Sequence, residues 1–216
     1  MNPGPARILI CPECGGTKEV MTLLSGNTFR ADFWSDGKMR APMLPQPSLI
    51  QKCPHCGNYF WMPDQELKTV KDYRSSFELG ELTYSETKEG AQRLLMTKPD
   101  EQKELDIRFM LIHAYNDEFV RLDKEGKRFN ERCSVPTEED NNLFKKSLER
   151  AYELSISMNY IVQAAEMLRE LGKFDECIAL INGMENLENN NELEYASQIS
   201  NHAKKGISTV FYFKMD

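Results

Sequence analysis

No apolar run in this sequence approaches the roughly 18–20 residues that a membrane-crossing helix requires. No His-Glu-x-x-His, Gly-x-Ser-x-Gly or Glu-x-x-His pattern occurs, and no glycine-rich loop of the kind that cradles phosphate. Catalysis therefore has no sequence signature, and the expectation is that the protein is not an enzyme. The stretch from Met1 to Arg7 lacks a basic segment leading into an apolar one, so no secretory leader is visible and a cytoplasmic location is expected. A basic excess is also missing, the net charge being −7. Up to Pro63, six Lys and Arg face four Asp and Glu, giving +2 and leaving −9 for the remainder. Binding of nucleic acid needs clustered cations. Arg30, Lys38, Arg40 and Lys52 are the obvious candidates, so such binding is expected to be weak.

Two copies of one short device are present: Cys11-Pro12-Glu13-Cys14-Gly15 and Cys53-Pro54-His55-Cys56-Gly57. Two cysteines three apart reach one metal only if the chain turns tightly between them. Proline presets φ after the first cysteine, and glycine after the second allows the left-handed conformation that closes the turn. In a chain with no leader, paired C-x-x-C units read as metal ligands rather than disulfides. Four thiolates complete a tetrahedral site, which leaves no open position for a catalytic water. His55 lies between two ligands and is expected to face solvent. Cys177 falls on an apolar helical stripe and reads as a core residue, while Cys133 has no C-x-x-C partner.

This pattern resembles the zinc-ribbon proteins over roughly Arg7 to Met62. The resemblance implies one structural zinc per chain on Cys11, Cys14, Cys53 and Cys56. Rubredoxins use similar knuckles for iron, which makes iron the alternative metal. Residues 15–52 separate the two pairs, a longer interval than in compact ribbons, and imply one or two inserted hairpins. A zinc tetrathiolate would carry two negative charges and cancel the positive excess of this region.

The character of the chain changes near Pro63, which predicts an α+β protein with a β-rich domain over 1–63 and an all-α antiparallel array over 64–216. Before Pro63, turn residues bound strand-length runs at Glu19–Leu24, Thr28–Trp34 and Ser48–Lys52, and Ser35-Asp36-Gly37-Lys38 reads as a hairpin turn. The aromatic runs Phe33-Trp34 and Tyr59-Phe60-Trp61 are expected to supply this domain's core. Beyond it, after a short segment Asp64–Lys71, periodicity predicts helices over Glu86–Met96, Pro99–Asp123 with Thr97 as cap, and a third beginning behind Thr137. Apolar stripes then place a helical hairpin over 158–185, with a break at Gly172-Lys173, and a last helix over Asn191–Lys205. The apolar tail Ile207–Phe213 fits either a strand or a docked turn.

Leu171, Gly172, Phe174 and Cys177 resemble the central turn of a tetratricopeptide repeat, with cysteine where alanine is usual. The match covers one repeat, so an irregular TPR-like array is expected. The chain as a whole resembles bacterial proteins that join a split four-cysteine ribbon to such helices, a likeness that implies architecture and no activity. In arrays of this kind the first helix of each hairpin lines a concave face. Arg108, His113 and Asn116 are therefore the candidate residues for gripping a protein or peptide partner, unless the ribbon or the tail fills that face. A non-catalytic interaction or scaffold protein is the first functional reading, and a nucleic-acid-binding or transcription-related ribbon the second.

Overall fold

The computed structural model describes residues 2–5, 7–20, 22–44, 47–65, 67–69, 82–123, 125–128, 134–184 and 190–213. The fold is α+β: among the described residues, short antiparallel strands in the N-terminal region precede six helices. The chain forms two compact units, one of residues 1–31 with 40–99, the other of residues 32–39 with 100–216. Among the described residues no helix is long and apolar enough to cross a membrane. Cys133 lies outside the described residues.

The first unit is built on two hairpins. Arg7–Ile10 pairs antiparallel with Thr17–Val20, from Arg7↔Val20 to Ile10↔Thr17, and Leu67–Thr69 adds a third strand on the other edge of Arg7–Ile10. The segment following Pro63 is thus a strand beyond a 3-10 turn at Met62–Asp64. The second hairpin pairs Ile50–Lys52 with Tyr59–Trp61. Leu9, Val20 and Phe60 form a small core that includes the sulfur-bearing Cys11 and Cys53.

Helix α1 (Tyr84–Met96) starts from a capping box in which Thr83 and Glu86 satisfy each other's backbone N–H groups. It packs on both strands of the second hairpin. Gly90 permits the close approach, because a Cβ there would fall 2.7 Å from Tyr59 Cδ1 and 2.8 Å from Ile50 Cγ2. Lys52 pairs with Glu86 at 2.9 Å, and Tyr59 donates to Glu89 at 3.1 Å. Helix α1 covers this hairpin, and the first unit runs on to Pro99.

The second unit contains α2 (Glu101–Phe119), α3 (Glu138–Ser157), α4 (Ile161–Glu170), α5 (Phe174–Asn182) and α6 (Asn190–Lys204). Asp100 caps α2, accepting from Lys103 N, whereas Thr97 ends α1. Thr137 and Asp140 make the capping box of α3. Each helix packs on the next, and α4 also packs on α6. The interior consists of Leu105, Ile112, Leu148, Ala151, Leu154 and Met167 in one cluster, and Ala165, Leu168, Cys177, Ile199 and Ala203 in another. Gly172, at a φ of 75°, turns the chain between α4 and α5.

Residues 32–39 also belong to this helical unit. Trp34 is 1% exposed, donates its indole N–H to Leu122 O at 2.9 Å, and lies under the Arg121 guanidinium at 4.8 Å. The tail bends at Thr209 and contributes one bridge residue, Tyr212. Tyr212 bridges Trp34 in antiparallel fashion, Ser35 N donates to Phe211 O at 3.0 Å, and Phe213 N donates to Phe33 O at 2.8 Å.

Candidate metal centre

Each cysteine pair occupies the turn of one hairpin in the first unit, and the two turns are built alike. Cys11 N donates to Gly16 O at 2.8 Å and Gly15 N to Cys11 O at 3.0 Å. Cys53 N donates to Asn58 O at 2.8 Å and Gly57 N to Cys53 O at 2.9 Å. Gly15 and Gly57 take φ values of 69° and 74°, the left-handed conformation that closes such a turn. Backbone N–H groups point at sulfur in both, from Gly16 to Cys14 Sγ and from His55 to Cys53 Sγ, each at 3.4 Å.

The four sulfurs lie within 4.8 Å of one another, and are positioned to bind one metal ion. Cys11 Sγ and Cys56 Sγ are 3.8 Å apart, and Cys14 Sγ and Cys53 Sγ 3.7 Å. Metal–sulfur bonds of about 2.3 Å arranged tetrahedrally set sulfur–sulfur separations of roughly 3.8 Å. The donor set therefore fits a single tetrahedral ion. Cys11 and Cys53 are buried in the small core while Cys14 and Cys56 are exposed, so the site faces the core on one side and solvent on the other.

Thiol acidity points the same way. Burial opposes ionisation of Cys53, but the N–H groups of Cys56 and His55 and the neighbouring sulfurs outweigh it and bring this thiol down to about 6. At Cys14 the Gly16 N–H favours the thiolate, yet the sulfurs of Cys56, Cys53 and Cys11, with burial, push the thiol up to about 12. Four thiolates cannot share this volume without a cation between them.

His55 is exposed, as its place between ligands suggests, but its ring also braces the opposite turn. A Cβ on Gly16 would fall 2.4 Å from His55 Cδ2, and a ring nitrogen of His55 lies 3.2 Å from Thr17 O. Gly16 is therefore fixed by a neighbour from the other knuckle. Lys18 joins the two hairpins by donating to Gln51 at 3.2 Å, and its partial burial lowers its pKa against the opposing pull of Cys53.

The other sequence-predicted site residues lie in the helical unit and are engaged internally. Asn116 is 1% exposed and donates to Asp36 Oδ2 at 3.0 Å and Glu170 Oε2 at 3.2 Å. A ring nitrogen of His113 lies 3.0 Å from Asp36 O, and burial lowers its pKa. Arg108 pairs with Glu104, which also receives Arg150. Asp36, in the segment 32–39, thus lies against both His113 and Asn116. Asp117, one helical turn from His113, pairs with Lys38 and Arg121.

Sequence reasoning missed the residues at the centre of this network. Arg121 clasps Asp36, and Arg169 clasps Glu166 at 2.7 and 2.5 Å while also reaching Ser35 Oγ at 3.3 Å. Both arginines are essentially buried. Glu166 and Arg169 stand three apart on a helix, a spacing indistinguishable in sequence from a solvated pair. Comparison of the chain with known protein families, curated proteins and solved structures finds no match, so the site rests on its own geometry.

Proposed function

We propose that Cys11, Cys14, Cys53 and Cys56 hold one zinc ion as a structural cross-link, and that the protein is a non-catalytic interaction or scaffold protein. In this reading the first unit is a zinc ribbon and the helices a TPR-like array. The observation that carries it is the closed set of four sulfurs at tetrahedral spacing. A bound zinc would supply folding energy to a small core, with all four protein positions spent on holding it. Free thiols of this kind suit a reducing, cytoplasmic compartment. The internal pairing of Asn116, Arg121, Glu166 and Arg169 supports a scaffolding role for the helical interior. Elemental analysis of protein purified without added metal should give one zinc per chain, and iron in excess of zinc would overturn the assignment. Cross-linking in host cells followed by peptide mapping should join described surface residues of this chain to a protein partner.

A second reading, nucleic-acid binding, is favoured by one surface of the first unit. Phe29 is 69% exposed with the Arg30 guanidinium 5.6 Å from its ring centroid, and residues 20–31 contain no acidic side chain. Sub-micromolar gel shifts at near-physiological salt would promote this reading over the first.

A further inference from the structure

The two cysteine knuckles repeat one pattern, yet they are not interchangeable. Between its cysteines the second has His55 where the first has Glu13, and after its glycine the first has Gly16 where the second has Asn58. The His55 ring reaches across to the first knuckle and takes the space that a side chain at residue 16 would fill. A Cβ on Gly16 would fall 2.4 Å from His55 Cδ2 and 2.8 Å from its Cγ. The same point is 3.2 Å from Cys14 Sγ, so the ring stands beside one of the two exposed sulfurs. His55 Nε2 is 3.2 Å from Thr17 O, and a carbonyl oxygen only accepts, so this nitrogen carries the proton. Asn58, the counterpart of Gly16, instead offers its Oδ1 to Arg93 of α1 at 3.3 Å.

We propose that His55 is a positioning residue of the metal centre: seated against Gly16 and bonded to Thr17, it holds the two knuckles in register before metal arrives and slows metal loss. The proposal rests on the zinc reading above. Each hairpin contributes two of the four sulfurs, so the site is complete only when two separately turned segments meet. Within a knuckle, the N–H groups of Gly16 and His55 point at sulfurs of their own pair. Those contacts fix each pair, but not one pair against the other. Lys18 with Gln51, and the core around Phe60, join the hairpins along their strands. His55 joins them to Gly16 and Thr17 at the sulfur end, where an error in spacing falls directly on metal–sulfur bonds. Ligands fixed in advance lose less freedom when the metal enters, and removing such a supporting group costs roughly ten- to hundredfold in affinity. His55 is exposed, which sets the expectation at the lower end of that range.

The test is competition for zinc between the full chain and a chromogenic chelator, following both affinity and the rate of metal loss. His55→Ala should weaken binding about tenfold and speed loss by a similar factor. His55→Gln keeps an N–H that reaches Thr17 O and should recover most of that affinity, which a general loss of stability would not allow. Gly16→Ala leaves His55 in the chain but displaces its ring, and should match His55→Ala. The double variant should be no weaker than either single one, because both changes remove the same contact. Zinc affinity in His55→Ala within about twofold of the unaltered chain, below the range such supporting groups command, would overturn the proposal and leave the zinc reading standing. Equal loss in His55→Gln would overturn it too, since the bond to Thr17 would then contribute nothing. So would additive losses in the double variant, which would trace the Gly16→Ala effect to crowding of Cys14 Sγ. An unaltered chain that takes up no zinc would overturn the zinc reading itself, a failure visible before any variant is made.

Discussion

Asp36 and Arg121, 85 positions apart, meet through two hydrogen bonds at 3.1 and 2.6 Å with both side chains fully buried. Burial by itself would raise the Asp36 carboxyl, but the charges of Arg121 and His113, with hydrogen bonds from Arg121 and Asn116, hold it well below the usual carboxylate range. Breaking a buried pair strands a charge and costs about 3–5 kcal/mol. Asp117 also contacts Arg121, so Asp36→Asn is expected at the lower end, about 3 kcal/mol. Urea unfolding of the full chain measures it, and a loss below about 1 kcal/mol would show that Arg121 finds adequate compensation elsewhere.

Glu170 predicts a stability that falls as pH rises. Its Oε1 is buried without a hydrogen-bond partner among the described residues. Burial first, then the charges of Glu166 and Asp36, raise its pKa well above 4.5, against the pull of Arg169 and the Asn116 hydrogen bond. The folded carboxyl keeps its proton where the unfolded one has lost it. The stability it contributes is full below the unfolded value and is lost as pH rises to the folded one, by about 1.4 kcal/mol per unit of pH within that window. Glu170→Gln should gain on the unaltered chain as pH goes from 5 to 8 in denaturant titrations. A constant difference across that range would rule out the protonated carboxyl.

Gly90 tests the seating of α1 on the second hairpin. Alanine in a helix interior is usually worth about 0.5–1 kcal/mol over glycine. Here the added carbon meets the Tyr59 ring and the branched Ile50 side chain, both held in place by the packed hairpin. Overpacking of about 1–3 kcal/mol should win, and Gly90→Ala should lower the melting temperature of the metal-loaded chain. An unchanged or raised value would mean that α1 shifts freely.

Cys53→Ser removes the sulfur most buried in the cluster core. On the proposed reading, metal content should fall from one ion per chain towards none, and amide protection should be lost over residues 7–69, because a metal held there would supply folding energy. Hydrogen exchange resolves the two units separately. Protection in α3 and α4 should survive, and its complete loss would reveal one cooperative unit.

Local patterns carried much of this architecture into the sequence. The Cys-Pro-x-Cys-Gly repeats mark both knuckles because their ligands, turn and glycine lie within five residues. Thr137 with Asp140, and the stripes either side of Gly172, announce their helices for the same reason. Trp34 and Asp36 could be read as a hairpin but not as part of the helical unit, since Leu122, Arg121 and Tyr212 leave no periodic trace beside them. Leu67–Thr69 was equally hidden, its partner strand lying far upstream. The cysteines of the candidate metal centre were legible because they repeat. The arginine network was not, because each member belongs to a different element.

Asp32 and Tyr212, joined by a hydrogen bond, are 180 positions apart. A ribosome adding about 5–20 residues per second needs on the order of ten to forty seconds to travel that distance. Both knuckles have emerged by Cys56, so the loop that carries Trp34 and Asp36 is bracketed at its ends long before Arg121 is made. For that interval a tryptophan and a carboxylate destined for burial wait in the open on a newborn chain. The helical unit closes last, when Phe211 and Phe213 arrive. Slow synthesis over the second half of the message would therefore prolong the interval before Arg121, Leu122 and Tyr212 arrive to cover Trp34 and Asp36.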